Sequence, residues 1–399
     1  MGSLLRNNRV LAVKPFIISL VLGNIGLAQN QKLGVVLDSA TRKPVALVDV
    51  FNRIDNTITN AEGAYFILTD GDSLSFQKIG YAKTVVPFSK LEDTLLLPPS
   101  PMELDEVVLI QPKSLWNRVR DSLRSNYQLT PFKERFFLRC VLRKNGEIVR
   151  IQDISGKLKR KTMFYNQDME ANQSDFEFEI SHMRKVGIEK DEKDVYFTSF
   201  SLADILFETI RMNATGPGFE LTEQLFENER RARIVFQSDT TFAGLNTRGH
   251  YIINTDNNAI ESFEVKTTID RDNYFKNGPI RSRTIARDQK AFFSKSEKEG
   301  RYFQSISTML FTIEITHTKK DFRYRYTSEY ILKTYDHNGK FKFSKNVNSK
   351  KDVFKLKHPY DEHFWNNQND LLLTSEMEAF IEKMAKGNTK FKVRSNLIR

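Results

Sequence analysis

The chain has 399 residues, with 61 Lys and Arg against 50 Asp and Glu, and a single cysteine. Apolar residues make up 40%, including 31 Phe and 13 Tyr, enough to fill packed cores and to exclude wholesale disorder. A mean hydropathy of −0.47 argues against a polytopic membrane protein, and the lone Cys140 excludes an internal disulfide and a multi-cysteine zinc site. At this length two or three domains are expected.

Arg6, Arg9 and Lys14 precede an apolar run from Phe16 to Ala28, and no acid occurs before Asp38. The run is shorter than the roughly 20 residues of a spanning helix. Gly26 and Ala28 set small residues where a cut before Gln29 needs them, the layout of a secretory signal peptide. The alternative is an uncleaved N-terminal anchor. Removing 1–28 takes three positive charges and no negative one from the net +11, leaving +8. No Cys follows the run, so no lipid anchor is expected at this end. Export also carries the basic chain away from nucleic acid, which is not expected as a partner.

Residues 29–98 alternate short strands and turns. Leu33–Leu37 reads as a strand, Asp38–Pro44 as a turn with Pro44 fixing φ at its exit. Ile58–Leu68 reads as strand, tight turn at Gly63, strand. Leu74–Phe76, Thr84–Val86 and Leu95–Leu97 complete six or seven short strands, the pattern of an antiparallel sandwich.

Four groups of residues here carry a resemblance. They are Gly34-x-x-x-Asp38, Pro44-Val45-x-x-Val48-x-Val50, Thr59-Asn60-x-x-Gly63-x-Tyr65-x-Ile67 and Ile79-Gly80-Tyr81, followed by Leu104-Asp105-Glu106-Val107-Val108. Together they resemble the carboxypeptidase-regulatory-like domain over about a fifth of the chain. The resemblance implies a transthyretin-like β-sandwich of the kind common in exported proteins of Bacteroidota, serving as a folding and docking module without peptidase activity. It implies a location in the periplasm or at the periplasmic face of the outer membrane. The sequence departs from the family at Asn60, where Asp is usual; Asn makes the same Asx turn.

Residues 99–130 read as a linker, with Pro98–Pro101 a stiff spacer and a helix from Ser114 to about Asn126 on the stripe Leu115, Val119, Leu123. Trp116 is expected in a core. From 131 to 365 the period is two. Phe136, Leu138, Cys140 and Leu142 alternate, Asn145-Gly146 signals a hairpin, and further alternating strands centre on Ile234, Val265, Phe311 and Tyr324. Asn338-Gly339 signals a second hairpin. The expected fold is mainly β: the sandwich, then a large curved antiparallel sheet or half-barrel with a few helices. One helix is expected from Ser201 to Met212. Residues 366–399 form a last helix, with a capping box at Ser375-x-x-Glu378, and a basic tail.

The pattern Gly244…Gly249-x-Tyr251-x-Ile253…Ala259-Ile260 and the run His363–Asn367 resemble elements of exported Bacteroidota proteins that carry the same sandwich. By analogy they suggest a half-barrel similar to periplasmic lipoprotein carriers, cradling acyl chains under a helix. Leu202, Ile205, Leu206 and Ile210 are then the candidate ligand-binding lid.

Catalytic motifs do not stand out. No His-Glu-x-x-His, Walker A, nucleophile elbow or Rossmann glycine fingerprint occurs. Gly216-Pro217-Gly218 reads as a loop. His358, Asp361 and His363 could gather a metal from one loop, but a solvated loop is the simpler reading. Cys140 reads as a small buried hydrophobe. The acid cluster Glu170…Asp175–Glu179 and the basic run Lys157–Lys161 read as solvated strand faces, the basic run alternatively as a contact for anionic lipid. No catalytic, cofactor-binding or metal-binding set is assigned. The expected function is an exported, non-enzymatic envelope protein that docks to an envelope protein or lipid, in peripheral association with the outer membrane. The alternative is an envelope hydrolase of glycan or peptide using carboxylates from separate strands.

Overall fold

The computed structural model describes residues 30–100, 113–165, 172–187, 199–210, 218–225, 230–238, 244–269 and 274–386. Residues 1–29, where a signal peptide is expected, Leu104–Val108, Glu170, Met212, Gly216, Pro217 and the tail after Lys386 lie outside these. Seven strands form the first unit: β1 Asn30–Asp38, β2 Asp49–Phe51, β3 Asn56–Ile58, β4 Ala64–Thr69, β5 Ser73–Gln77, β6 Thr84–Pro87 and β7 Thr94–Leu97. They make two sheets, ordered β4-β1-β7 and β3-β2-β5-β6. Val36, Tyr65, Ile67 and Leu97 from the first meet Val50, Leu74 and Phe76 from the second, and Val48 just before β2, in one core. The sandwich is not wholly antiparallel, because β1 and β7 run parallel. The chain visits the second sheet through β5 and β6 before it returns, which supplies the crossover that parallel pairing needs. The turn before β4 is held by Asn60, whose Oδ1 accepts from Glu62 N and Ala64 N, both at 2.9 Å. Gly63 has φ +74°, and a Cβ there would meet Val36 O at 2.5 Å.

The second unit is an open eleven-stranded sheet. Its strands are β8 Phe132–Lys144, β9 Glu147–Arg160, β10 Phe176–Gly187, β11 Phe219–Leu225, β12 Arg231–Ser238, β13 Leu245–Asn254, β14 Ala259–Ile269, β15 Phe275–Asn277, β16 Ile280–Lys295, β17 Tyr302–His317 and β18 Arg323–Tyr335. The order is β10-β9-β8-β18-β17-β16-β14-β13-β12-β11, with β15 on β16, and the sheet does not close into a barrel. Every pairing in it is antiparallel. Asn145 and Gly146 take φ +51° and +94° between β8 and β9, as a type I′ hairpin requires. Asn338-Gly339 does not make a hairpin. Asn338 does adopt φ +55°, but no strand follows β18 among the described residues. The chain instead runs along the edge of β10, where the Asn346 side chain exchanges two 2.8 Å hydrogen bonds with the Ile180 backbone. A side-chain amide thus covers a strand edge that would otherwise stand open.

Helices cover one face of this sheet. α1, Lys113–Asn126, seats Leu115, Trp116 and Val119 against Tyr251, Phe263 and Phe293. Its N-terminal amides of Leu115 and Trp116 donate to the buried Glu223 of β11 at 3.1 and 3.3 Å, a carboxylate where the helix dipole favours one. α2, Leu202–Ile210, begins in a reciprocal Ser201–Asp204 cap. Its C-terminal carbonyls of Glu208 and Thr209 accept from Gln289 and Gln304 of the sheet, which satisfies groups a helix end leaves unpaired. Gly249 is fixed by close approach, since a Cβ would meet Glu264 O at 2.3 Å and the Phe236 ring at 2.4 Å. The opposite face carries the sandwich, α3 Glu362–Asn366 and α4 Ser375–Lys386. The α4 cap is Thr374, not Ser375: Met377 N donates to Thr374 Oγ1, while Ser375 N and Oγ are drawn to Glu62 of the sandwich.

Candidate functional site: a cleft between sandwich and sheet

The segment between α3 and α4 forms a strap between the two units. Asn369 exchanges hydrogen bonds with both backbone groups of Leu68 on β4, at 2.6 and 2.7 Å. Asn60 Nδ2 donates to Leu373 O at 2.9 Å. The Asn60 amide thus holds the turn with its oxygen and the strap with its nitrogen. A carboxylate has no donor for the second bond.

On the sheet side the strap is bolted by Arg139 of β8. Its guanidinium grips Asp153 of β9 at 2.8 and 2.9 Å and donates to Leu371 O and Leu372 O. Arg184 of β10 also binds Asp153 at 2.8 Å and lies over the buried Trp365 ring of α3. Burial alone would raise the Asp153 carboxyl, but the two guanidinium groups hold it below its ordinary range. Beside this bolt lies a second buried group. Lys333 of β18 donates to Asn56 O of the sandwich at 2.9 Å. Burial draws its pKa down to about 8 against the pull of Asp370 on the strap and Asp49 on β2. Burial likewise raises Asp370 and Asp49 to about 6, each against Lys333.

Where the strap ends, a cavity of about 450 Å³ remains between the units. Its floor is the outward face of β8, β16, β17 and β18. Its walls are Ala46, Leu47, Ala61 and Glu62 of the sandwich, and Leu371, Thr374 and Met377 of the strap and α4. Leu310 at the floor is 39% exposed. Register sets Leu310 between two carboxylates: Asp288 faces it from β16 and Glu329 from β18. Two strand spacings place the Cα atoms of Asp288 and Glu329 about 10 Å apart. Neither carboxylate has a hydrogen bond or ion pair among the described residues. Burial raises the Glu329 carboxyl, Arg143 and Arg139 oppose this, and Glu376 adds to it. Glu376 is itself lowered by Arg143, which binds both its oxygens, at 2.5 and 2.7 Å. The volume is that of a small-molecule pocket, and its lining mixes apolar side chains with seven charged ones.

The residues singled out in the sequence lie elsewhere. Leu202, Ile205, Leu206 and Ile210 are buried in one cluster with Leu138, Ile154, Met309 and Tyr330, on the opposite side of the sheet from the cleft. Cys140 is fully buried in the same cluster, and burial pushes its thiol well up. His182 stacks on Phe364 and lies 3.5 Å from Asp361, whereas His363 contacts Asn367. Among the described residues no three His, Cys, Asp or Glu side chains gather as a metal site. The acid cluster and the basic run pair with each other across β9 and β10: Lys157 with Glu179, Lys159 with Glu177. Arg160 is buried on Glu134. Asp288 and Glu329 escaped notice because each reads as the solvated phase of its strand. Only the register of three strands shows that they flank one exposed leucine. No family model and no curated protein matches the chain.

Proposed function

We propose that the chain is an exported envelope protein that binds a ligand in the cleft between its sandwich and its large sheet. The observation that carries this is the cavity itself: an apolar floor at Leu310 left open between units otherwise closed by the strap. The basic, apolar leader and small residues before Gln29 support export. The resemblance at Gly34–Tyr81, with the two-sheet arrangement of β1–β7, supports a carboxypeptidase-regulatory-like module of Bacteroidota type that docks the chain in the envelope. In this reading the sandwich works as one wall of the site, and α2 is a structural plug of the sheet. The test uses the mature chain from residue 29. Saturable binding of the uncharged apolar fluorophore N-phenyl-naphthylamine is expected, and Leu310→Trp, which fills the floor, should abolish it. Undiminished binding by that variant overturns the reading. Cell fractionation checks the address, and recovery in the cytosol would overturn it.

A second reading, hydrolysis of an envelope glycan or peptide, draws on the Asp288–Glu329 pair. A raised Glu329 would serve as the acid and Asp288 as the base across a gap that admits water. Turnover of peptidoglycan fragments lost in both Asp288→Asn and Glu329→Gln would support it, and turnover unchanged in both would remove it.

A further inference from the structure

The charges lining the cleft are mostly spoken for. Arg143 holds both oxygens of Glu376 and donates to Gly146 O. Arg139 is consumed by Asp153 and two strap carbonyls. Lys290 also lines the cleft, and its ammonium pairs with Glu264, 3.1 Å away. Lys78, the sandwich cation near Lys290, donates to Ala46 O. Glu62 receives the amide and hydroxyl of Ser375 at the start of α4. What remains is Asp288 and Glu329, one on each side of Leu310. Neither carboxylate has a hydrogen bond or ion pair among the described residues, Glu329 feeling Arg143 and Arg139 only at longer range, and an open apolar floor between two such carboxylates is complementary to one kind of molecule. A cation with an apolar body would bury the floor and pair the carboxylates at once. An anion would meet both carboxylates, and the lining cations Arg139, Arg143 and Lys290 already have carboxylate partners.

We propose that the cleft takes an amphiphilic amine, its apolar body on Leu310 and its ammonium between Asp288 and Glu329. This rests on the cleft being a binding site, and names the class of ligand. A charge-assisted hydrogen bond contributes more than a neutral one, and a tenfold difference in affinity is well within its range. Calorimetric titration of the mature chain with octylamine, octanol and octanoate at neutral pH separates the possibilities. Octylamine is expected to bind at least about tenfold more tightly than octanol, and octanoate more weakly than either. Asp288→Asn and Glu329→Gln, both on solvent-reached positions, should lose the amine preference and keep octanol binding. Equal affinity for all three probes, or a preference for octanoate, overturns the amine inference and leaves the cleft as a general apolar site. Octylamine binding undiminished in Leu310→Trp, or no binding of any probe, overturns the cleft as well.

Discussion

Replacing Arg139 by Met tests whether the strap is what joins the two units. The methionine keeps most of the stem volume and removes the guanidinium. Four hydrogen bonds go with it: two on Asp153, and one each on Leu371 O and Leu372 O. Asp153 is fully buried and retains only Arg184, so its charge is left partly uncompensated. Removing one partner of a buried pair costs about 3–5 kcal/mol, and two carbonyls left without donors act in the same direction. The sum of separate bonds would overstate the loss, so about 4 kcal/mol is the expected value. Urea unfolding gives the change in stability. Local opening is read separately by fluorescence of Trp365, isolated with Trp116→Phe, because Trp365 is buried beneath Arg184. The expected result is a red-shifted Trp365 emission at urea concentrations below global unfolding. A loss under about 1 kcal/mol, with Trp365 unfolding together with the rest, would refute the idea that Arg139 fastens the strap.

Asn60→Asp should keep the turn and lose the bond to Leu373 O, setting a carboxylate against a carbonyl; a cost of about 1–3 kcal/mol is expected, and an unchanged urea midpoint would sink the assignment. The Asp49–Lys333–Asp370 group predicts a pH profile. Asp49 and Asp370 have folded values near 6, above the ordinary 3.8, so their contribution is fully present below about pH 4 and is lost as pH rises through 6. Lys333 has a folded value near 8, below 10.5, so its contribution is present above about pH 10 and is lost as pH falls through 8. Asp370→Asn should remove part of the slope between pH 4 and 6, and a curve parallel to the native one would contradict this. Gly249→Ala should cost several kcal/mol, on the order of 2–3, because both nearest atoms are held in the sheet core; a thermal midpoint within one degree of native would be inconsistent with that packing. Cys140 should resist a thiol reagent until global unfolding, as its burial and raised thiol require; rapid labelling of the native chain would contradict it.

Much of the architecture was legible because it depends on local period. The alternation Phe136, Leu138, Cys140, Leu142 became one face of β8, all four in a single core. Asn145-Gly146 dictates its own turn. The same signal misled at Asn338-Gly339, since a positive φ bends the chain but does not provide a second strand to pair. Period also says nothing about which strands become neighbours. Lys157 and Lys159 read as a basic surface until register set them opposite Glu179 and Glu177. The site was hidden for the same reason. Asp288, Leu310 and Glu329 come from three strands, and their walls come from residues 46–62 and 371–377. Asn60 was visible as an oddity, but its second partner lies more than three hundred residues away.

The pairing of β8 with β18 has a kinetic consequence. Its closest partners in sequence, Lys144 and Tyr326, are roughly 180 residues apart. Loop closure over that distance costs about 2–3 kcal/mol more in chain entropy than closing a hairpin of ten residues. β10-β9-β8 and β11–β18 can each grow by neighbouring strands, but this seam cannot, and a topology so rich in distant contacts folds slowly. Until the seam closes, β8 and β18 both present bare edges beside Phe136, Leu138, Tyr330 and Leu332. That interval, with apolar strands exposed and no partner at hand, is when the chain is most prone to aggregate. Conditions that slow only this step should lower the yield of folded protein while leaving its final stability unchanged.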